Sequence, residues 1–266
     1  FMFRSKLIWE IRKYLNGKGY TEIETPILNN KASGAMARPF VTHHNALDID
    51  LYLRIAPETY LKRAIIGGFT KVYEFARCFR NEGMDTTHLQ DFTMLEGYGA
   101  YMNYRDNMKF LREMIQEVVM NLFGKLEIKI NGEVVDISGE WESVTMRDLI
   151  LRHCPIDIKE YNTKEKLLEK IKTEKLDIDS EVPLESLGYG NLVDQLYKKV
   201  ARCHVVKPIF LTEHPISLSP LARANDFDSS LTDRFQLVIN GAEIINAYSE
   251  LVDPIEQEKR LIEQAE

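Results

Sequence analysis

The chain has 266 residues, of which 44% are hydrophobic and 28% charged, enough apolar side chains to build a core and far more than a disordered chain carries. Its 14 Gly and 9 Pro exclude a collagen-like or linker-rich polymer, and no run approaches the roughly 18 uncharged apolar residues of a membrane span, so no membrane partner is expected. A net charge of -7 restricts any nucleic-acid contact to a local patch.

Residues 3–15 place Phe3, Leu7, Ile8, Ile11, Tyr14 and Leu15 at helical spacing, and Gly17 and Gly19 stop the helix. The N-terminal stretch is charged throughout, unlike a secretion signal. Residues 21–28 read as a strand that Pro26 confines to a sheet end or edge. Residues 49–55 alternate as a half-buried strand, and Pro57 opens a helix that Gly67-Gly68 closes. Residues 72–80 and 93–101 predict two antiparallel strands around the long loop NEGMDTTHLQDF, and residues 105–122 an amphipathic helix. KLEIKINGEVVDI reads as a hairpin turning at Asn131-Gly132, and residues 145–203 as charged helices. Strands return at 208–212, 233–239 and along AEIINAYSEL after a second Asn-Gly turn. Without βαβ alternation, the order predicts an α+β fold: an antiparallel sheet of about six strands flanked by helices, with a helical insertion. The boundaries fall as 1–124, 125–204 and 205–266, with the site chemistry outside the middle segment. Cys78, Cys154 and Cys203 are odd in number and lack metal-ligand spacing. They read as reduced thiols of a cytoplasmic protein, Cys78 as a packed one.

Two concentrations of polar residues carry candidate chemistry. Arg80, Glu82, His88, Asp91 and Phe92 gather at the long loop: a fork donor for phosphate, carboxylates for an amino group and a ring for a base would suit an adenine nucleotide. They equally suit a surface hairpin tip. Glu96 and Tyr98 share a strand face, and Glu243, Asn246, Tyr248 and Glu250 crowd one strand near the C-terminus. Inward-facing acids require a metal ion or an ammonium group as partner, whereas an exposed strand face requires neither.

FRNEGMDTTHLQDFTMLEGYGAY resembles the second signature of class II aminoacyl-tRNA synthetases in its lysyl form, and GYTEIETPIL resembles the first, a dimer-interface element. ASGAMARPFVTHHNALDIDLYLRIAPETYLKR and GAEIINAYSELVDPIEQ are similar to two further lysyl-enzyme segments. The resemblance implies that Arg80 binds the α-phosphate and the amino-acid carboxylate, that Glu82 and His88 lie nearer adenine and the outer phosphates, and that Phe92 stacks on adenine. It implies Gly34 (by its backbone) and Glu58 at the substrate α-ammonium with Glu96 close by, Tyr98 and Glu250 at the ε-ammonium, Asn246 and Tyr248 shaping the slot, and Glu243 on Mg2+. The implied partners are L-lysine, ATP, tRNA(Lys) and a second copy of the chain, paired through the 3–15 helix and the 21–28 strand. The implied reaction is ATP-dependent activation of lysine to lysyl-adenylate, then transfer to tRNA(Lys) in translation.

This chain departs from that pattern in three respects. Leu89-Gln90-Asp91 stands where the family usually has Asn-Pro-Glu, and Gln236 stands where a second Mg2+-binding acid precedes Glu243 by seven residues. The sequence ends at Glu266, before the third signature expected of the family, and lacks an anticodon-binding domain. A lysine-activating relative that acylates a protein, and a non-catalytic dimeric binding module, therefore stand as alternatives.

Overall fold

A computed structural model describes residues 1–31, 37–83, 88–130, 132–178, 180 and 182–265. Backbone proximity groups the chain into two units, Phe1–Tyr101 and Met102–Glu266. In the first, α1 (Met2–Gly17) buries Tyr14 and Leu15, and Gly19, at φ 80°, turns the chain into β1 (Thr21–Glu22). The strand predicted over 21–28 is in fact two short ones. Pro26 has no N–H to give a ladder, so β1 pairs parallel with a later strand while β2 (Leu28–Asn29) turns to other partners. These are β3 (Val41–His44), which the sequence reading missed, and β4 (Ile49–Leu53), giving the antiparallel order β2-β4-β3.

Helix α2 (Glu58–Ile66) starts after Pro57, ends at Gly67 and buries Leu61 completely. The hairpin β5 (Lys71–Phe79) and β6 (Asp91–Gly99) pairs Val72 with Tyr98, Glu74 with Glu96, and Cys78 with Phe92. Directly opposite residues share a sheet face, so the even-numbered residues of both strands form one surface. On that surface Glu74 forms an ion pair with Arg54 at 2.7 Å, the two side chains 5% and 4% exposed. Thr25 Oγ1 donates to Glu74 Oε2 at 2.6 Å, while Arg54 donates from Nη1 to the Thr25 carbonyl at 3.0 Å and from Nε to the Arg77 carbonyl at 2.7 Å.

The second unit begins with α3 (Tyr104–Phe123), where Asn103 and Asp106 form a capping box and Gly124 closes the helix in the left-handed region. The hairpin β7 (Glu127–Ile130) and β8 (Glu133–Asp136) follows as expected. Next come β9 (Glu142–Thr145), also missed, and helices α4 (Met146–His153), α5 (Lys164–Thr173) and α6 (Tyr189–Val200). Strands β10 (Ile209–Thr212), β11 (Arg234–Ile239) and β12 (Ala242–Tyr248) precede α7 (Pro254–Ala265). Asn240 and Gly241 both have positive φ, 48° and 71°, the geometry a two-residue hairpin of this hand requires.

The sheet order is β12-β11-β10-β9, with β9 parallel to β10 and the other pairs antiparallel. Strand alternation sorts the two faces. Phe210, Phe235, Leu237 and Ile239 pack with residues of α3. Ile209, Leu211 and Val238 pack with Met146, Ile150, Leu192 and Leu196 of α4 and α6. The α+β class is as expected, but the anticipated sheet of about six strands is not one ladder: the described strands form sheets of three, four, three and two.

Removing only Arg54 would leave the Glu74 carboxylate buried without its partner. Arg54→Met should therefore cost about 3–5 kcal/mol of folding stability. Combining it with Glu74→Met should recover much of that loss, as urea unfolding of both variants would reveal.

Candidate functional site: an acid and arginine face and a glutamine–glutamate pair

On the even-numbered face of the β5–β6 hairpin, Arg80 lies just past β5 with its guanidinium carbon 5.2 Å from the centre of the Phe92 ring. Its backbone N–H donates to the Gln90 carbonyl at 2.8 Å, fixing the base of the loop. The side-chain Nε is buried and has no hydrogen-bond partner among the described residues. A buried guanidinium donor aimed at nothing is costly unless a ligand acceptor meets it.

Glu58, on α2, is 8% exposed and takes a 2.7 Å ion pair from Lys62 one turn later. Glu96, on β6, receives a 3.3 Å hydrogen bond from Tyr98. Its carboxyl is pushed up to about 7, first by burial and then by the like charge of Glu58; Tyr98, Lys62 and Arg80 oppose the rise. Arg80, Phe92, Glu58, Glu96 and Tyr98 thus lie in one neighbourhood.

Other expectations sort differently. Glu82 and His88 are exposed, and the Glu82 carbonyl accepts from the Gln90 amide at 3.2 Å. Asp91 points to the odd-numbered face, where it pairs with Arg77 at 2.7 Å, so it is not a neighbour of Phe92 on the Arg80 side. Gly34 lies outside the described residues. Cys78 is fully buried and its thiol is raised to about 11, chiefly by burial, as befits a packed thiol rather than a nucleophile.

In the second unit, Gln236 and Asn246 face each other across β11 and β12, on the side of the sheet that carries Val238 and the α4–α6 core. Gln236, 6% exposed, donates from its amide to Glu243 Oε2 at 2.9 Å. A register shift at Leu237/Val238 lets Glu243, opposite Val238, reach it. The Glu243 carboxyl is raised by the protein packed around it, although the residue as a whole is exposed; Arg234, Lys198 and Arg202 counter that rise and Asp194 adds to it. Thus α6, inside the segment expected to stand apart from the site, contributes charge to Glu243.

Arg234, which the sequence reading passed over, holds Asn246 Oδ1 at 2.8 Å and is itself anchored on the Leu218 carbonyl and Ser219 Oγ at 2.9 and 2.7 Å. Its even-numbered place beside Gln236 was the available signal. Tyr248 ends β12 opposite Arg234. Glu250 lies beyond the strand, in a bridge with Ala222, so strand alternation does not set its direction as expected.

One carboxylate and one amide can serve Mg2+, a hard ion commonly bound through one or two carboxylates with phosphate and water completing the shell. Turning the Gln236 amide about its terminal bond would exchange the donor that meets Glu243 for a carbonyl oxygen. The two side chains therefore fit the ion, with one negative charge where two acids would supply two. Among the described residues no group of three or more His, Cys, Asp or Glu is placed to hold a metal by itself. No helix among the described residues is long and apolar enough to cross a membrane.

The sequence matches the family described as tRNA synthetases class II (D, K and N) over residues 1–266, and the chain belongs to that family. It is 45% identical over 266 residues to a lysine–tRNA ligase of Dehalococcoides mccartyi, covering 100% of this chain and 52% of that protein. It is 44% identical over 264 residues to the lysine–tRNA ligase of Enterococcus faecalis, covering 99% and 52%, and 45% identical over 265 residues to that of Thermosipho africanus, covering 100% and 51%. The chain spans about half the length of the curated relatives it matches.

Because the Glu96 carboxyl rises from an ordinary 4.5 to about 7, the folded state keeps its proton where the unfolded chain has lost it. The stabilisation is complete below pH 4.5 and lost as pH climbs through about 7. Glu96→Gln should not show this decline, so the wild type should lose melting temperature relative to the variant between those two values.

Proposed function

We propose that the chain carries the amino-acid-activating part of a lysine–tRNA ligase, forming lysyl-adenylate from L-lysine and ATP and passing the lysyl group to tRNA(Lys). The observation that carries this reading is the even-numbered face of the β5–β6 hairpin: an arginine over an aromatic ring, with a buried donor that has no partner among the described residues, beside two acids of which one is near neutrality. Such a face provides for phosphate, carboxylate and ammonium together, and the name shared by the relatives supports lysine as the ammonium compound.

In the reaction, a lysine carboxylate oxygen bonds to the α-phosphorus, the α–β phosphoanhydride breaks and pyrophosphate leaves with its electron pair. Such a displacement needs alignment and charge neutralisation more than a proton acceptor. Arg80 neutralises the α-phosphate and the attacking carboxylate, Phe92 supports the adenine, and Glu82 and His88 serve adenine and the outer phosphates. Glu58 and the Gly34 backbone hold the α-ammonium with Glu96 nearby; Tyr98 and Glu250 receive the ε-ammonium, and Asn246 and Tyr248 bound the slot. When bound, Mg2+ supplies positive charge to the phosphates. Glu243 and Gln236 are the residues that would hold it.

The organisation into 1–124, 125–204 and 205–266 belongs to this reading, as do action in the cytoplasm and pairing of two copies through α1. The exposed Phe3 and Trp9 of that helix, 51% and 66% accessible, support the pairing.

Lysine-dependent exchange of pyrophosphate into ATP tests the reading. Arg80→Ala should lower exchange by about a hundred- to a thousandfold, the usual loss of one charge-stabilising donor. Glu250→Gln should weaken lysine binding by roughly ten- to a hundredfold, the worth of one charge-assisted hydrogen bond, with ATP affinity retained. Gln236→Glu should lower the Mg2+ concentration that half-saturates the protein, measured by calorimetry with the metal and ATP. Lysine binding without any exchange in the wild type would favour the non-catalytic binding module.

A further inference from the structure

Arg234 brings a guanidinium to the polar side of the second unit's sheet, where every hydrogen bond it makes to the described residues ends on a neutral oxygen. Nε donates to Asn246 Oδ1 at 2.8 Å, and Nη1 donates to the Leu218 carbonyl and to Ser219 Oγ at 2.9 and 2.7 Å. The last two acceptors are fixed in their own right. Ile216–Leu218 is a single 3-10 turn, and its Ile216 N–H donates to the Ser230 carbonyl at 2.9 Å. Ser219, which follows it, is buried. Helix α6 closes on the turn at Gly190, where a methyl group would stand 2.5 Å from Ser217 Oγ and 3.1 Å from Leu218 Cγ. The guanidinium is therefore held at one end before it reaches Asn246 at the other.

Asn246 is exposed and sits diagonally from Arg234 across the ladder, in which Arg234 faces Tyr248 and Gln236 faces Asn246. Among the described residues, the bond from Arg234 is the one hydrogen bond that orients this side chain. Gln236, the amide directly opposite, is engaged with Glu243 at 2.9 Å. A guanidinium has no acceptor, so the Asn246 amide must turn Oδ1 toward Arg234 and Nδ2 away from it. Resting on the lysine reading above, we propose that Arg234 is a positioning residue that fixes the Asn246 amide with its N–H group toward the substrate, making that wall of the slot a donor for the substrate carboxylate. L-lysine carries two ammonium groups, which only donate, and one carboxylate, which only accepts. A wall whose carbonyl is already taken serves the carboxylate and neither ammonium. A freely turning amide would also offer its carbonyl to an ammonium and would hold lysine in the wrong sense as readily as in the right one. Arg234 acts through Asn246, and its anchors on Leu218 and Ser219 keep the guanidinium from following the amide.

The test is a double-mutant cycle read by calorimetry with L-lysine. Arg234→Met and Asn246→Ala should each weaken binding about tenfold, the scale of one hydrogen bond to a charged group. The double variant should bind no more weakly than Asn246→Ala alone, because a residue that acts through Asn246 has nothing left to act on. Ser219→Ala, a milder change that removes one anchor and spares both partners, should cost about threefold. Binding of 1,5-diaminopentane, which keeps both ammonium groups and lacks the carboxylate, should be the same in wild type and Arg234→Met. Nitrogen relaxation of the Asn246 side-chain amide, assigned with Asn246→Ala and measured without ligand, should show restricted motion in the wild type and faster motion in Arg234→Met and Ser219→Ala. Losses that multiply in the double variant, equal losses for lysine and the diamine, or unchanged amide motion in both Arg234→Met and Ser219→Ala would overturn the role of Arg234. A wild type that binds no lysine would instead sink the lysine reading, and the ligand-free relaxation would still decide whether Arg234 fixes the amide.

Discussion

The first unit depends on one buried ion pair. Arg54 follows β4, Glu74 lies in the middle of β5, and Thr25 belongs to the link that Pro26 keeps out of regular pairing; their mutual hydrogen bonds tie these three segments together. Burying two charges is expensive, and their attraction offsets the cost only when geometry and additional bonds satisfy the remaining donors and acceptors. Here the Arg77 carbonyl, the Thr25 carbonyl and hydroxyl and the carboxylate all take bonds from Arg54. The consequence is positional. With β5 held at Glu74, the register that sets Glu74 against Glu96 and Cys78 against Phe92 also fixes which side chains share a face with Arg80.

The second unit solves its placement problem by alternation. Odd-numbered residues of β11 feed the core under α3, and even-numbered ones turn toward the side of α4 and α6. Arg234 and Gln236 are the polar exceptions on that second side, and each is bonded: Arg234 to Asn246, Gln236 to Glu243. A carboxylate in the place of Gln236 would be buried beside another acid and would require a cation to remain ionised. The amide removes that requirement, because its N–H meets the Glu243 carboxylate directly.

How much of this was legible follows from the range of the forces involved. Periodicity, Pro57, Gly67 and the second Asn-Gly turn are local signals, and the helices and the hairpin they announced formed where expected. Strand β3 is exposed along its whole length, so no burial pattern could show in its sequence. Strand β9 is four residues long, and only its parallel pairing with β10 makes it a strand. Within IDLYLRI, Arg54 reads as an ordinary outward residue; its burial depends on Glu74, twenty positions away, and spacing cannot show that. The resemblance named the acids of the candidate site, but Asp91 turned to Arg77 and Glu250 fell beyond β12 because ion pairing and a strand end decide side-chain direction after the backbone is set.

The cations paired with Glu74 and Glu58, Arg54 and Lys62, differ in kind, and the difference bears on what each can do. Arg54 has a planar fork whose five N–H groups suit a fixed set of acceptors, and it is almost entirely enclosed. Exchanging its partner would leave several buried acceptors unsatisfied at once, so it is a permanent part of the frame. Lys62 is a flexible point charge at a partly open edge, held chiefly by charge rather than by a rigid fork. A point charge on a flexible stem can shift without abandoning a directional bond, whereas the Arg54 guanidinium cannot leave its acceptors without stranding them.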